Sequence, residues 1–358
     1  MIRVGLVGLG YWGPNLARNF DNLADLTWLC DLDEEHHTPF AARYPRARVT
    51  ADYAELLADP GLDAVVIATP VPTHYALAKE ALEAGKHVLV EKPPAMKGSE
   101  MDELVVLAAE RDLVLMPGHL LLYHPGVLKL KQLIDAGELG EVLYACAERV
   151  NLGIVRDAEN AWWSLAAHDV AVAIHLFGAT PVSVSATGAA YLRREIADVA
   201  FATLRFADGR TAHVHVSWLD PHKRRSLTVV GSRKMLTFDD TAADEKIKIY
   251  DKGAVPRPGH TSFEEGVAVR VGDVVSPFVA NREPLVAECE HFVAAVATGS
   301  RPRSDGRQGL AVVRVLEAGD ASIRAGGAPV AVAAGAHGEG ELNRDGAGPR
   351  GDDGRARG

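Results

Sequence analysis

Four groups of residues combine reactive or ligand-binding side chains with a spacing that suits a cofactor and a proton relay. The first is Gly8-Leu-Gly-Tyr-Trp-Gly13, a GxGxxG turn that directly follows the apolar run Ile2 to Val7. Gly8 can make the tight turn, Gly10 lets a pyrophosphate approach bare backbone, and Gly13 packs the next helix against the strand. Tyr11 and Trp12 complete the turn, and the helix behind it offers unpaired N–H groups and a partial positive charge to phosphates. Glycines with this spacing also mark ordinary turns, so the motif needs its context. The second group is Asp31, eighteen residues past Gly13 at the end of the apolar run 25–30. A carboxylate there can accept both ribose hydroxyls of NAD and repel the extra phosphate of NADP. The same side chain could instead cap a helix beginning near Asp33.

The third group is Lys92, which follows a buried-type strand and precedes Pro93-Pro94. An amine that is partly desolvated and close to an oxidised, positively charged nicotinamide has a lowered pKa. It can steer or relay a hydroxyl proton as hydride leaves carbon. A surface lysine ending a strand is the plainer alternative. The fourth group is His168 with Asp169 beside it and Ser164 one turn earlier. If Ser164 caps the helix, His168 lies in its first turn, where the dipole favours a neutral ring able to act as a base. A satisfied core histidine is the alternative. His213 and His215 share a strand face, but no carboxylate or cysteine accompanies them at a useful spacing, so no metal is expected.

These groups need elements to hold them. Strand patterns at 2–7, 25–30, 49–50, 63–68, 87–90 and 113–116 alternate with helical patterns starting at Gly13 and near Asp33, and at 53–58, 73–84 and 99–111. Runs such as Asp63-Ala-Val-Val-Ile-Ala68 are apolar enough to be buried on both faces, which predicts a parallel, doubly wound α/β sheet with right-handed crossovers. All strands of such a sheet end on one rim, so the glycine turn, Thr69-Pro70 and Glu91-Lys92 converge at the switch point. Past residue 120 a helix at 125–136 is followed by long alternating strands at 142–151, 181–190, 198–206, 211–218, 226–230, 235–239 and 246–250. This predicts an α+β domain with a large, mostly antiparallel open sheet, one face on helices and the other free for a second subunit. Helices at 163–177, 285–297 and 310–325 interrupt or follow the strands. The expected division is 1–120 for the dinucleotide domain, 121–326 for the substrate and oligomerisation domain, and 327–358 for a disordered tail poor in large apolar residues.

The chain has 358 residues, enough for two cores, and its 48 acidic and 38 basic residues leave a net charge of −10. That balance disfavours a sequence-independent hold on nucleic acid and would suit a cationic substrate. No stretch is long enough for a membrane span and no leader pattern opens the chain. Cys30, Cys146 and Cys289 fit neither a disulfide framework nor a zinc knuckle, so a reducing cytoplasm is the simplest compartment.

GLGYWG at 8–13, ATPVPTH at 68–74 and AGKHVLVEKP at 84–93 together resemble the Gfo/Idh/MocA oxidoreductases, over residues 1 to about 326. GYWGPNLARNF at 10–20, GELGEVLY at 137–144, RVNLG at 149–153 and SWLDPHKRRSLTVVGSRKM at 217–235 are similar to the subgroup of UDP-N-acetylglucosamine 3-dehydrogenases. The resemblance implies NAD-dependent oxidation of a ring hydroxyl, or the reverse, on a sugar or sugar nucleotide. A cofactor site of Gly8, Gly10, Tyr11, Trp12, Gly13, Asp31, Thr69, Pro70, His74, Glu91 and Lys92 follows from it. Lys92 matches the lysine of EKP, with a cis bond to Pro93 expected. His168 matches the acid/base histidine of the family's DxxxH motif, and Tyr123 matches an aromatic near the substrate. Asn151, Trp163 and Ser164 complete the expected substrate site, although Trp162 and Trp163 could equally be core.

One position departs from the pattern. The motif aspartate would stand at 164, where this chain has serine, so His168 should be less basic than in relatives, and Asp169 is a doubtful substitute. An aminoglycoside-type sugar, a cyclitol, or a non-catalytic NAD-binding regulator are the alternatives that this leaves. The abundance of Ala, Gly, Arg and Val suits a GC-rich genome, where such genes often serve antibiotic and other secondary metabolism. A homodimer or homotetramer and an aminotransferase as the next pathway enzyme are the expected partners.

Overall fold

Val4, Leu6, Leu29, Val65, Val66, Val88 and Leu89 lie in short strands and are wholly buried, which requires helices on both faces of their sheet. The computed structural model describes residues 1–153, 155–156, 159–256 and 267–334. In chain order the first part runs β1 (Arg3–Val7), α1 (Gly13–Leu23), β2 (Asp25–Cys30), α2 (His37–Arg43), β3 (Arg48–Thr50) and α3 (Tyr53–Leu57). It continues β4 (Ala64–Ile67), α4 (His74–Glu83), β5 (His87–Glu91), α5 (Gly98–Glu110) and β6 (Leu115–Gly118). The six strands are parallel in the order β3-β2-β1-β4-β5-β6. The order reverses between β1 and β4, the switch point where a dinucleotide lies in such sheets.

The second part runs α6 (Pro125–Asp135), β7 (Val142–Val150), a π-helical turn (Trp162–Ala166) continuing into α7 (Ala167–Phe177), β8 (Ser183–Ala189), β9 (Val199–Arg205) and β10 (Thr211–Ser217). It closes with β11 (Arg224–Gly231), β12 (Met235–Asp239), β13 (Ile247–Pro256), β14 (Val267–Val275), α8 (Pro284–Thr298), α9 (Gly306–Arg324) and β15 (Val330–Ala331). The nine strands are ordered β14-β13-β12-β11-β7-β10-β9-β8-β15, antiparallel except for the β7–β10 pair. Burial alternates along them as a half-covered sheet requires: Ala145, Ala147, Ala212, Val214, Ala202 and Leu204 are buried, and Tyr144, Cys146, His213 and Phe201 are exposed.

Three expectations change here. β14 was not expected, because its exposed valines offer no alternation of burial to read. The tail placed at 327–358 begins too early: Val330–Ala331 pairs with β8, and only 335–358 lies outside the described residues. The division at 326 also hides a shared element. On α9, a side chain at Gly309 would meet Pro117 of β6 at 2.5 Å, and one at Gly319 would meet the Trp162 ring at 2.5 Å. Ser322 Oγ accepts from the Ala186 amide on β8. One helix therefore joins both sheets, and its glycines allow the close approach.

Candidate active site

The glycine turn divides as its spacing suggests. Gly8 has φ +93°, and a Cβ there would lie 2.6 Å from the Ala68 backbone, while one on Gly13 would lie 2.4 Å from the Gly8 carbonyl oxygen. At Gly10 the nearest atom is the His36 ring at 4.0 Å, so the middle of the turn is open backbone. Among the described residues, no side chain caps the start of α1 behind it. These features fit a pyrophosphate lying over Gly10. Asp31 accepts from the Leu9 amide at 2.6 Å and the Asp33 amide at 2.9 Å, so its carboxylate stands beside the turn. The helix cap is Asp33, which accepts from the Glu35 amide, so the capping alternative for Asp31 falls. His36 Nδ1 lies 3.2 Å from Asp31 but without hydrogen-bond geometry. Tyr11 is 80% exposed, and Trp12 is half-buried.

Lys92 follows β5 on the same rim, and its peptide bond to Pro93 is cis. Its Nζ donates to the Ser164 carbonyl at 2.8 Å, which ties the first domain to the π-helical turn of the second. Burial holds its pKa below that of an ordinary lysine, against the pull of Glu159 first and Glu91 next. His74 braces this corner. Its Nδ1 lies 2.8 Å from the Pro93 carbonyl and its Nε2 2.7 Å from the Thr69 carbonyl, so the ring bridges the ends of β4 and β5. Both nitrogens thus face backbone carbonyls, and the one that carries the proton donates. Thr69 Oγ1 shares a hydrogen bond with Thr73 Oγ1, and Pro70 starts the turn between them.

The helix carrying His168 starts earlier than expected. Asn160 Oδ1 accepts from the Trp163 amide and caps the π-helical turn, while Ser164 is buried inside that turn. Ser164 is therefore no cap, and the helix dipole at a first turn does not explain His168. Its pKa is held well below the usual histidine value by burial first, then by Lys92, Arg149, His119 and Arg225. Its Nδ1 is buried without a partner among the described residues. Asp169 is bound bidentately by Arg149 of β7, at 2.8 and 3.0 Å, so its charge is already matched.

Four further residues belong to this neighbourhood and were not expected from sequence. Arg149 is one, because an arginine on an alternating strand reads as a solvent-facing residue. His119 follows β6, and the register Glu91↔Gly118 places it beside Lys92 on the neighbouring strand. It is buried, both ring nitrogens lack partners among the described residues, and burial with Lys92 pushes its pKa down to about 3. Its position one residue past a strand end on the functional rim was the available signal. Glu288 of α8 is wholly buried with both oxygens unpartnered among the described residues, and burial together with Glu91 holds its carboxyl well above the ordinary range. Burial likewise pushes Glu91 up to about 7, with Lys92 opposing. The fourth is Glu159, 6% exposed, with one oxygen facing Arg156 at 3.3 Å and the other unpartnered among the described residues.

Several expected site residues sit elsewhere. Tyr123 is buried, its hydroxyl bonded to Ser304 Oγ at 2.9 Å and its ring 5.3 Å from His291. Trp162 donates to the Leu316 carbonyl, and Trp163 is buried beside it. Asn151 stays half-exposed at the end of β7, its amide held by the Ser217 carbonyl. His215 does have a carboxylate, Glu148 Oε1 at 3.2 Å across the parallel pair, contrary to expectation. No group of three metal-ligating side chains occurs among the described residues.

A family model for oxidoreductases with an NAD-binding Rossmann fold matches residues 2–119, and the model for the C-terminal domain of the same family matches 127–237. The chain is 32% identical over 313 residues to UDP-N-acetylglucosamine 3-dehydrogenase of Acidithiobacillus ferrooxidans, covering 87% of this chain and 94% of that one. This protein belongs to the Gfo/Idh/MocA oxidoreductase family. A solved structure of the same Acidithiobacillus dehydrogenase superposes on this Gfo/Idh/MocA chain with TM-score 0.75 at 31% identity, over 90% of this chain and 99% of that one. GenD2 from gentamicin A biosynthesis, solved with NAD, superposes with TM-score 0.78 at 26% identity, over 93% and 97%. Inositol 2-dehydrogenase of Rhizobium meliloti is 26% identical over 90% of this chain and 97% of its own. The cofactor of this Gfo/Idh/MocA protein is NAD, and none of its described helices is long and apolar enough to cross a membrane.

Proposed function

We propose that the protein oxidises a ring hydroxyl, at C3, of a nucleotide-linked sugar to the ketone, with Lys92 and His168 handling the proton. The observation that carries this reading is the 2.8 Å hydrogen bond from Lys92 Nζ to the Ser164 carbonyl, which holds the amine one helical turn from His168. Bound NAD supplies the hydride acceptor at its nicotinamide. The chain's own part is the proton. Lys92 Nζ keeps two N–H groups beyond the one given to Ser164, and they can hold the reacting oxygen as its proton leaves. The His168 imidazole, kept neutral by burial and by the cations around it, is ready to accept that proton. Asp31 beside the glycine turn accounts for NAD over NADP.

The choice of substrate rests on local charge and on the 32% relative. His222, Lys223, Arg224 and Arg225 form an exposed basic run at the start of β11, and Arg225 is among the cations acting on His168. Such a run favours a diphosphate over a polyamine, although the whole chain is acidic. A second reading, an aminoglycoside-type sugar, has the 26% likeness to GenD2 in its favour. A cyclitol has the inositol 2-dehydrogenase. The exposed sheet face around Tyr144 and Phe201 suits pairing of subunits into a homodimer or homotetramer. Three free cysteines suit a reducing cytoplasm. A keto sugar is the natural substrate of an aminotransferase acting next.

The test is NADH absorbance on adding UDP-N-acetylglucosamine, free aminosugars or inositols, with Lys92→Ala and His168→Ala beside the parent. Turnover with the nucleotide sugar is expected, falling roughly 10²–10⁴-fold in each variant. Turnover confined to aminosugars or inositols replaces the substrate assignment. A parent matched by both variants removes the two residues from the chemistry.

A further inference from the structure

Three arginines stand where β7 ends and β11 begins, and they are held in three different ways. Arg149 and Arg225 are register partners across this antiparallel pair, so their side chains leave the same face of the sheet. That face is the one α7 covers, because Arg149 bonds Asp169, the neighbour of His168, at 2.8 and 3.0 Å. Arg224 turns to the open face. There its Nη2 donates to Asp220 at 3.2 Å and its Nη1 lies 3.5 Å from Glu148. Of the three, Arg225 is the one with no hydrogen-bonded acceptor for its guanidinium among the described residues. Its nearest acid is Asp240 Oδ2, 3.6 Å from Nη1, an ion pair too long for a hydrogen bond.

Arg225 is nevertheless fixed in place. The Asp240 amide donates to its carbonyl at 2.9 Å, which extends the β11–β12 ladder past Ser226. His124 Nδ1 accepts from the Gly126 amide, so the ring's proton sits on Nε2, which faces Asp240 Oδ1 at 3.2 Å. His124 first, against burial, and Arg225 after it hold the Asp240 carboxyl down to about 2, so the acid behind the guanidinium is ionised. The arginine is thus oriented by charge while its planar fork of N–H donors stays unused, and its side chain is 43% exposed. Such a fork matches two oxygens of a phosphate. We propose that Arg225 takes a phosphate of the nucleotide-linked substrate, with Asp240 and His124 aiming it, and so selects nucleotide-linked over free sugars. The proposal rests on the reading of the substrate as a nucleotide-linked sugar and assigns the phosphate contact to one side chain of the basic run.

The test is calorimetry on the NADH-bound protein, in which the cofactor's own phosphates are already seated, with UDP and uridine as the probes. The parent is compared with Arg225→Met and Arg225→Gln, each first shown to melt cooperatively. The parent should bind UDP more tightly than uridine, and each variant should lose roughly 10–100-fold in UDP affinity with little change for uridine. The KM for UDP-N-acetylglucosamine should rise by a similar factor while kcat stays close to the parent value. A parent that prefers UDP, matched by both variants, overturns the proposal and leaves the nucleotide-sugar reading intact. A parent that binds UDP no better than uridine overturns both. A loss that falls on NADH affinity instead of UDP affinity assigns Arg225 to the cofactor and overturns the proposal as well.

Discussion

The glycine rim after β1 and the helix entry at 159–169 meet at the Lys92–Ser164 hydrogen bond, yet they work through different atoms. At the rim, backbone does the work. Gly8 and Gly13 are pressed against main chain at 2.6 and 2.4 Å, and Gly10 is left open. At the helix entry, side-chain charge does the work, with Glu159, Arg149, Asp169 and His168 drawn from one strand's end and one helix start. The first arrangement tolerates no added carbon at Gly8 or Gly13, and the second no charge removed from only one partner of its buried ion pair.

The contrast is most exposed to failure on the charged side. Arg149→Met leaves Asp169 buried and unmatched, and should destabilise the fold by about 3–5 kcal/mol in urea unfolding. Adding Asp169→Leu should recover most of that loss, because an apolar pair replaces an ion pair far better than half of it does. A single variant as stable as the parent would show that the pair is solvated and that the helix entry does not depend on it.

The backbone side predicts a smaller and divided effect. Gly13→Ala must push a carbon into the Gly8 carbonyl, at a cost of about 1–3 kcal/mol in the same assay. Gly10→Ala meets nothing within contact and should leave stability within about 0.5 kcal/mol. It should weaken NAD binding, measured by calorimetry, since its methyl occupies the surface a pyrophosphate would take. Equal NAD affinity in Gly10→Ala and the parent would mean that the turn is structural alone. The smallest effect concerns the end of β2. Asp31→Ser should narrow the preference for NAD over NADP by roughly tenfold, ~1.4 kcal/mol, in paired titrations. A parent already favouring NADP would contradict the ribose role of Asp31.

Local periodicity, and residue types with few uses, can be read along a chain without any fold. Buried strands are uniformly apolar, and a GxGxxG turn has a distinctive spacing, so the parallel sheet and its rim are legible in the residues themselves. The motifs also carry the family, because GLGYWG, ATPVPTH and EKP fall at three ends of one rim. Residues whose role depends on a partner far along the chain are not legible. The bond of the Tyr123 hydroxyl to Ser304 spans much of the chain, and Ser164 looks like a cap until Asn160 is found in that place.

Which polar groups are buried, and against what, emerges only from the packed molecule. His119 is an ordinary histidine until the register of β5 and β6 sets it beside Lys92. Arg149 is an ordinary strand arginine until α7 brings Asp169 over it, and Glu159 an ordinary loop acid until the helix entry closes around it. The reason is that desolvation and Coulomb interaction depend on distance in space, and a linear chain specifies that distance only after its helices have packed.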